Sequence, residues 1–290
     1  MKTDQHLTTL PWADYELLDS GENMKLERFG EIVVARPETQ ALWAKMQPAL
    51  WSKAHAEFAF KDGKGVWRTK GVPKSWPLSW QSARFLAELT GFKHTGIFPE
   101  QAPNWEWIAD RTRNLREPAV LNLFGYTGIA SIVAAQAGAH VTHVDASKHS
   151  VTWAHENAKL SNLPETAIRW IVDDALAFAK REMKRESFYD GIILDPPAFG
   201  RGAKGEVWHI EEDLSKLLPI LKALLKDTPG AFFLLNGYAA GYASHSFAQA
   251  IESVFSPPSG GVEGESGELR IAESGSDRLL PSGIYVRFVR

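Results

Sequence analysis

The sequence predicts an α/β protein: a doubly wound, mostly parallel sheet of seven strands, preceded by a small α+β domain. Three observations lead there. From residue 119 onward, short apolar runs alternate with helix-period segments, the pattern of parallel strands joined by helices. The last two apolar runs, 268–272 and 284–289, follow one another without a helical segment, so they pair most easily antiparallel at the sheet edge. Eight of the eleven tryptophans (Trp12, Trp43, Trp51, Trp67, Trp76, Trp80, Trp105 and Trp107) precede residue 118, a compositional shift that marks a separate N-terminal domain.

Taken in order, residues 24–28 and 31–36 read as a hairpin turning on Phe29-Gly30. Residues 39–53 place Leu42, Trp43, Met46 and Leu50 at helical spacing, although Pro48 must start, kink or split that helix. A second hairpin, 57–60 and 66–69, turns on Asp62-Gly63-Lys64-Gly65, so residues 1–90 are expected as a strand-strand-helix-strand-strand module. The stretch from about 71 to 117 is rich in Pro and Trp, with an amphipathic segment at 81–89; its end, 91–117, is expected as a packed connector contributing to the next domain's cleft. The second domain, 118–290, then reads strand 119–124, helix 129–137, strand 140–145, helix 148–160, strand 168–172 and helix 175–184. Strand 189–194, helix 211–225, strand 231–236 and helix 244–255 follow, and the Pro-, Gly- and Ser-dominated residues 256–267 read as a loop.

Composition narrows the function. The 290 residues are 44% hydrophobic and 23% charged, so the chain is globular; 32 basic against 35 acidic side chains leave a net charge of −3, which excludes a wholly basic nucleic-acid surface. Cysteine is absent. That removes disulfides, thiolate zinc sites, iron–sulfur clusters and any cysteine nucleophile, and no metal site is expected. The polar first ten residues and the lack of an apolar run near the ~20 residues of a membrane span make the cytoplasm the expected compartment.

The chemistry-bearing residues gather at predicted strand ends. The strand over 119–124 runs into Gly125-Tyr126-Thr127-Gly128 and a helix, where glycine permits a tight turn against a ligand beside a helix N-terminus. A structural turn is the plainer reading of so short a motif. Asp145 ends the second strand about 20 residues on, where a carboxylate accepts ribose hydroxyls, and Asp173-Asp174 ends the third, placed to meet an adenine amino group. Both ends also read as helix caps, with Asp145 or Ser147 before Lys148 and Asp173 or Asp174 before Ala175. The fourth strand ends in Asp195-Pro196-Pro197-Ala198-Phe199-Gly200, a stiff, donor-poor turn whose carboxylate and carbonyl suit a planar nitrogen that loses a proton, with an aromatic face nearby for its ring. A dinucleotide dehydrogenase does not need that turn, and the loop lacks the third glycine at its usual offset.

Together, the segments 121–128, Val144-Asp145-Ala146-Ser147, Asp173-Asp174-Ala175 and Asp195-Pro196-Pro197 resemble the large-subunit ribosomal RNA methyltransferase family, whose members use S-adenosyl-L-methionine and have the class I methyltransferase fold. Thr95-Gly96-Ile97-Phe98-Pro99-Glu100-Gln101 is similar to the segment before that family's catalytic domain, and the resemblance covers about 90–255. It implies that the loop Gly125, Tyr126, Thr127 and Gly128 holds the methionine end of the cofactor and that Gln101, Asn122 and Phe124 also lie near the cofactor. Asp145 and Ala146 would lie at its ribose, Asp173, Asp174 and Ala175 at its adenine, and Asp195, Pro196, Pro197 and Phe199 at the acceptor, with Asp195 also touching the cofactor. Two departures stand out: there is no cysteine for carbon-5 cytosine chemistry, and Ala198 separates the double proline from the aromatic that follows it at once in amino-group methyltransferases.

The substrate expected from the resemblance is RNA, methylated on a base nitrogen. The loop Gly200-Arg201-Gly202-Ala203-Lys204-Gly205, followed by Trp208 and His209, reads as a phosphate clamp (Arg201, Lys204) with a stacking aromatic, or as an ordinary solvated loop. Net charge does not support RNA: residues 1–117 hold 16 basic and 15 acidic side chains, the rest 16 and 20. His209 reads as a packing residue, and Asn236 as a pocket acceptor or a turn residue. The alternatives are methylation of a small molecule or protein, and a cofactor-binding assembly protein without turnover.

Overall fold

The computed structural model describes residues 1–61, 64–202, 205–238, 241–256 and 263–290. Two compact units emerge, and neither is one continuous segment: one holds Met1–Leu7, Asn104–Glu268 and Gly283–Arg290, the other Thr8–Pro103 and Leu269–Ser282. The expected connector 91–117 is divided between them at Pro103 and Asn104. The last two strands, β16 (Gly264–Ala272) and β17 (Leu279–Val289), are longer than the sequence suggests and hold residues of both units.

The larger unit is built on an eight-stranded sheet. Its strands are β1 (Lys2–Thr9), β9 (Ala119–Leu123), β10 (His140–Asp145), β11 (Ile168–Val172), β12 (Gly191–Leu194), β15 (Phe232–Gly237), β16 and β17, in the order β1-β16-β17-β15-β12-β9-β10-β11. β11, β10, β9, β12 and β15 run parallel, and β17 is antiparallel to β15. The seven expected strands are present, and the N-terminal β1 adds an eighth outside β16. The order reverses at β9: the chain builds outward through β10 and β11, then returns to lay β12 on β9's other side. Such a switch point opens a crevice at the carboxyl ends of the strands.

Helices cover both faces. On one, α5 (Ala175–Lys184), α6 (Ile210–Leu224) and α7 (Ser244–Phe255) bury Phe178, Leu217, Leu221, Phe247 and Ile251 with Leu121, Leu123, Ile192, Leu194, Phe233 and Leu235 of the strands. On the other lie α2 (Ala102–Arg113), α3 (Ile129–Gln136) and α4 (Lys148–Leu160): Trp107 meets Phe232 edge-on at 5.5 Å, and Ser131 bonds Asn122. Because the strands are covered on both sides, β12 and β15 read as largely apolar runs, whereas Asn122 of β9 and Thr142 and His143 of β10 are polar residues buried within their strands. Sequence had no helical signal for α2 and none for a small hairpin, β13 (Phe199–Arg201) with β14 (Val207–His209).

In the smaller unit, β2 (Tyr15–Gly21), β3 (Met24–Phe29), β4 (Ile32–Pro37), β5 (Ala56–Lys61) and β6 (Lys64–Thr69) form a sheet in that order. β7 (Trp76–Trp80) and β8 (Ala83–Ala87) form a separate hairpin where an amphipathic segment was expected at 81–89. The helix expected over 39–53 is a single turn, α1 (Pro48–Trp51). Proline lacks an N–H and clashes with the preceding turn, so the helix can begin at Pro48 but not run through it. The residues before it are held extended by Asp19, whose carboxylate accepts from the backbone N–H of Met46 (3.1 Å) and Gln47 (2.9 Å) and from Trp51 Nε1 (2.7 Å).

Beneath this sheet lies a buried charge network. Glu27 accepts from Arg36 Nε (2.6 Å) and Tyr15 OH (2.9 Å), and Lys25 pairs with Glu38 at 3.2 Å. Burial alone would raise the Glu27 pKa, but Arg36 and Lys25 overcome it and hold the carboxyl near 2. Its stabilising contribution is therefore complete above the usual carboxylate range and lost as pH falls toward 2. Glu27→Leu leaves Arg36 and Lys25 buried without their shared counter-ion, and an urea titration is expected to show a loss of about 3–5 kcal/mol; an unchanged midpoint would mean that the cations find other partners.

Candidate active site

The carboxyl edge of the sheet is tied together by backbone bonds. Gly125 N–H donates to the Val144 carbonyl (3.0 Å), Asp173 N–H to the Asp145 carbonyl (3.1 Å) and Asp195 N–H to the Leu123 carbonyl (3.4 Å), so the ends of β9, β10, β11 and β12 meet at the switch point. The turn from β9 into α3 places Phe124 (φ 57°), Tyr126 (φ 49°) and Gly128 (φ 83°) in left-handed conformations. Two of these are not glycine, and such strain persists only where neighbours enforce it. Trp208 supplies one restraint, its ring 4.8 Å from that of Phe124. Asp145 supplies the other.

The Asp145 carboxylate accepts from Tyr126 N–H (2.9 Å) on one oxygen and from Ser147 N–H (2.8 Å) on the other. Burial raises its pKa, and these two bonds pull it back. The bond with Tyr126 uses a loop N–H that would otherwise face a phosphate, and it sets a carboxylate in its place. Asp173 accepts from Asp174 N–H (3.0 Å) and pairs with Arg181. Asp174 caps α5 by accepting from Ala177 N–H (2.8 Å), as Ser147 caps α4 by accepting from Ser150 N–H (3.2 Å). This edge thus presents carboxylates from three strand ends, suited to hydroxyls, amines and positive charge rather than to pyrophosphate.

The remaining sequence-assigned residues fall into three groups. Ala146, half-buried, and Ala175, buried, flank these carboxylates, and Thr127 is buried with its carbonyl accepting from Asn157 Nδ2 (2.9 Å). Asn122 lies beneath the loop rather than at its surface: its amide donates to Ser131 Oγ (2.8 Å), which lies 3.0 Å from His143 Nδ1. Gln101 is in the short turn Pro99–Gln101 of the smaller unit, and Lys204 lies outside the described residues.

After Asp195, Pro196 is buried and Pro197 exposed. Trp208, expected as a stacking aromatic, is buried instead: its Nε1–H donates to the Pro197 carbonyl (2.8 Å) while its ring packs on Phe124. It joins the diproline turn to the glycine loop. The exposed aromatic is Phe199, 51% accessible, T-shaped against His209 at 5.1 Å and with the Arg201 guanidinium 5.9 Å from its ring centre. Pairing of Phe199 with His209 and of Arg201 with Val207 puts all four on the outer face of the β13–β14 hairpin, and Trp208 on the inner one.

Sequence reasoning missed His143. It is fully buried under the loop, and burial lowers its pKa to about 3. The strand, His-Val-Thr-His-Val-Asp, is too polar for His143 to stand out in the sequence, and only the fold buries it. A Cβ on Gly125 would lie 2.4 Å from His143 Cε1 and 2.5 Å from Nδ1. Gly125→Ala is therefore expected to destabilise by about 1–3 kcal/mol, measured by urea unfolding, and an unaffected midpoint would show that the imidazole moves freely. Unfolded histidine titrates near 6.5, so neutral His143 costs stability only below that pH. Between pH 6.5 and 4 the wild type should lose up to about 1.4 kcal/mol per pH unit more than His143→Gln; parallel curves would show that His143 accepts its proton in the fold.

A family model described as S-adenosylmethionine-dependent methyltransferase matches residues 33–252. The crystal structure of the SAM-dependent methyltransferase from Agrobacterium tumefaciens is 41% identical, with a TM-score of 0.93 over 99% of this chain and 95% of that one. SMU.776, solved in complex with SAH, shares the fold at 18% identity, with a TM-score of 0.73 over 96% of this chain and 76% of that one. Among curated proteins, ribosomal RNA large subunit methyltransferase K/L is 33% identical in Shewanella frigidimarina and 36% in Shewanella oneidensis; each match covers 53% of this chain and 21% of the relative, so this chain matches about a fifth of their length. With a mostly parallel sheet, carboxylates at three of its strand ends and a family model spanning most of its length, this chain belongs to the S-adenosylmethionine-dependent methyltransferases.

Proposed function

We propose that this protein methylates a base nitrogen of RNA, ribosomal RNA being the class favoured, in the cytoplasm and without a covalent enzyme intermediate. The observation that carries the reading is the meeting of two dissimilar halves at one edge: a glycine loop already bonded to Asp145, and the Asp195-Pro196-Pro197 turn bonded to β9 and braced by Trp208. The donor set fits the cofactor, because carboxylates suit the hydroxyls, amines and cationic sulfur of S-adenosylmethionine. In this reading the loop from Phe124 to Gly128 holds its methionine end, Asp145 its ribose and Asp174 its adenine amino group.

When bound, that cofactor supplies an electrophilic methyl group on sulfur. Asp195 and the Pro196 carbonyl accept hydrogen bonds from the N–H groups of the acceptor and so aim its nitrogen at the methyl, and alignment is the main contribution of the chain. Pro197 leaves the turn without a donor that would compete for the same acceptors. Phe199, Arg201, Val207 and His209, on the outer hairpin face, support the nucleotides flanking the target base by stacking and by charge. The relatives named for ribosomal RNA favour this substrate over a metabolite or a protein side chain.

Incubation of stripped ribosomal RNA with tritiated cofactor, followed by nucleoside mass spectrometry, tests the reading; label on a metabolite or protein but never on RNA would end it. Asp195→Ala is expected to hold cofactor affinity within a few-fold by calorimetry while transfer falls about 100-fold or more. Equal transfer by wild type and variant would remove Asp195 from the acceptor site, and no transfer by either would favour a binding protein.

A further inference from the structure

A hydrogen-bond chain runs in from the outer strands to β15. Glu265 accepts from Arg287 Nε (2.7 Å), Arg287 Nη1 donates to Asn104 Oδ1 (3.0 Å), and Asn104 Nδ2 donates to Asn236 Oδ1 (2.8 Å). Asn104 is fully buried, Asn236 is 4% exposed and Arg287 8% exposed. The sense of this chain is forced. A guanidinium only donates, so Asn104 must offer its oxygen to Arg287 and its NH2 to Asn236, and Asn236 must receive on oxygen. The NH2 of Asn236 is thereby turned away from α2, and among the described residues it has no partner.

The sheet register says where Asn236 stands. The last pair of the register is Leu194 with Leu235, so Asp195 and Asn236 are the residues that follow it on the two adjacent parallel chain segments. A carboxylate that only accepts and an amide NH2 that only donates thus stand at or just past the ends of neighbouring strands at the same edge of the sheet. We propose that Asn236 donates a hydrogen bond to the methyl acceptor, and that Arg287 and Asn104 orient it. This inference rests on the RNA-methylation reading above. The complementary ligand is a planar group carrying N–H next to a ring nitrogen or carbonyl, as on the pairing edge of a nucleobase. A lone amine, such as a lysine side chain, has no atom to receive the Asn236 donor and would leave it unpaired. Asn236 is therefore a specificity determinant for bases over amines.

Two substitutions test this. Asn236→Asp keeps an oxygen for Asn104 but removes the donor. Asn104→Asp keeps an oxygen that accepts from Arg287 and offers Asn236 a second oxygen, so the Asn236 amide turns over and withdraws its donor without any change at the substrate. Both are expected to lower kcat/KM for RNA about 10–100-fold, with the calorimetric Kd for S-adenosylmethionine within about twofold of wild type. Transfer maintained in both variants, or cofactor affinity lost in step with transfer, would overturn the proposal. If Asn236→Asp fails to fold, Asn104→Asp decides alone. Labelling by wild type and variants alike sinks this inference only, whereas no labelling of RNA by the wild type sinks the RNA reading and the inference together.

Discussion

The site depends on one constraint: the carboxylate of Asp145 bound to two backbone N–H groups, those of Tyr126 and Ser147. It sits at the end of β10, yet it holds the turn that leaves β9. That bond keeps Tyr126 in a left-handed conformation that its side chain disfavours, and it gives the loop a negative rather than a positive face toward ligands. A phosphate-binding loop leaves its N–H groups open to an anion; here a side chain of the protein has taken the anion's place.

The two units handle buried polar groups in opposite ways. Beneath the glycine loop, Asn122, Ser131 and His143 form a neutral chain, and burial keeps the imidazole uncharged at ordinary pH. In the smaller unit, Lys25, Glu27, Arg36 and Glu38 are buried as charges and depend on mutual pairing. Neutral support suits a cationic cofactor, because a protonated histidine directly under the loop would repel it. Charged networks of the second kind contribute little net stability but are costly to break, so they constrain the fold rather than strengthen it.

Much of the fold was legible because its strands are covered on both faces. Strands such as β12 and β15 give largely apolar runs, and the carboxylates at or just past the strand ends, Asp145, Asp173 and Asp195, stand out beside them. The helix over 39–53 was misread because apolar spacing alone does not register that Asp19, far back in the chain, holds that segment extended. α2 went unseen because its apolar residues are interrupted by polar ones, among them Asn104, whose amide serves Asn236 and Arg287 far along the chain. Trp208 was taken for an exposed aromatic for a related reason: strand alternation decides which face is buried only once the hairpin is known to exist.

What the sequence determined by itself was the strand–helix alternation, the turn chemistry of Gly125–Gly128 and Pro196–Pro197, and the exclusion of cysteine chemistry, all of which follow from local sterics and residue type. What only the tertiary structure decided was which polar groups face the crevice and which lie under it. Asn122 and His143 went below, and the Asn236 oxygen was turned toward Asn104, itself oriented by Arg287. Orientation of that kind is set by hydrogen-bond partners on other elements, and spacing along one chain carries no record of them.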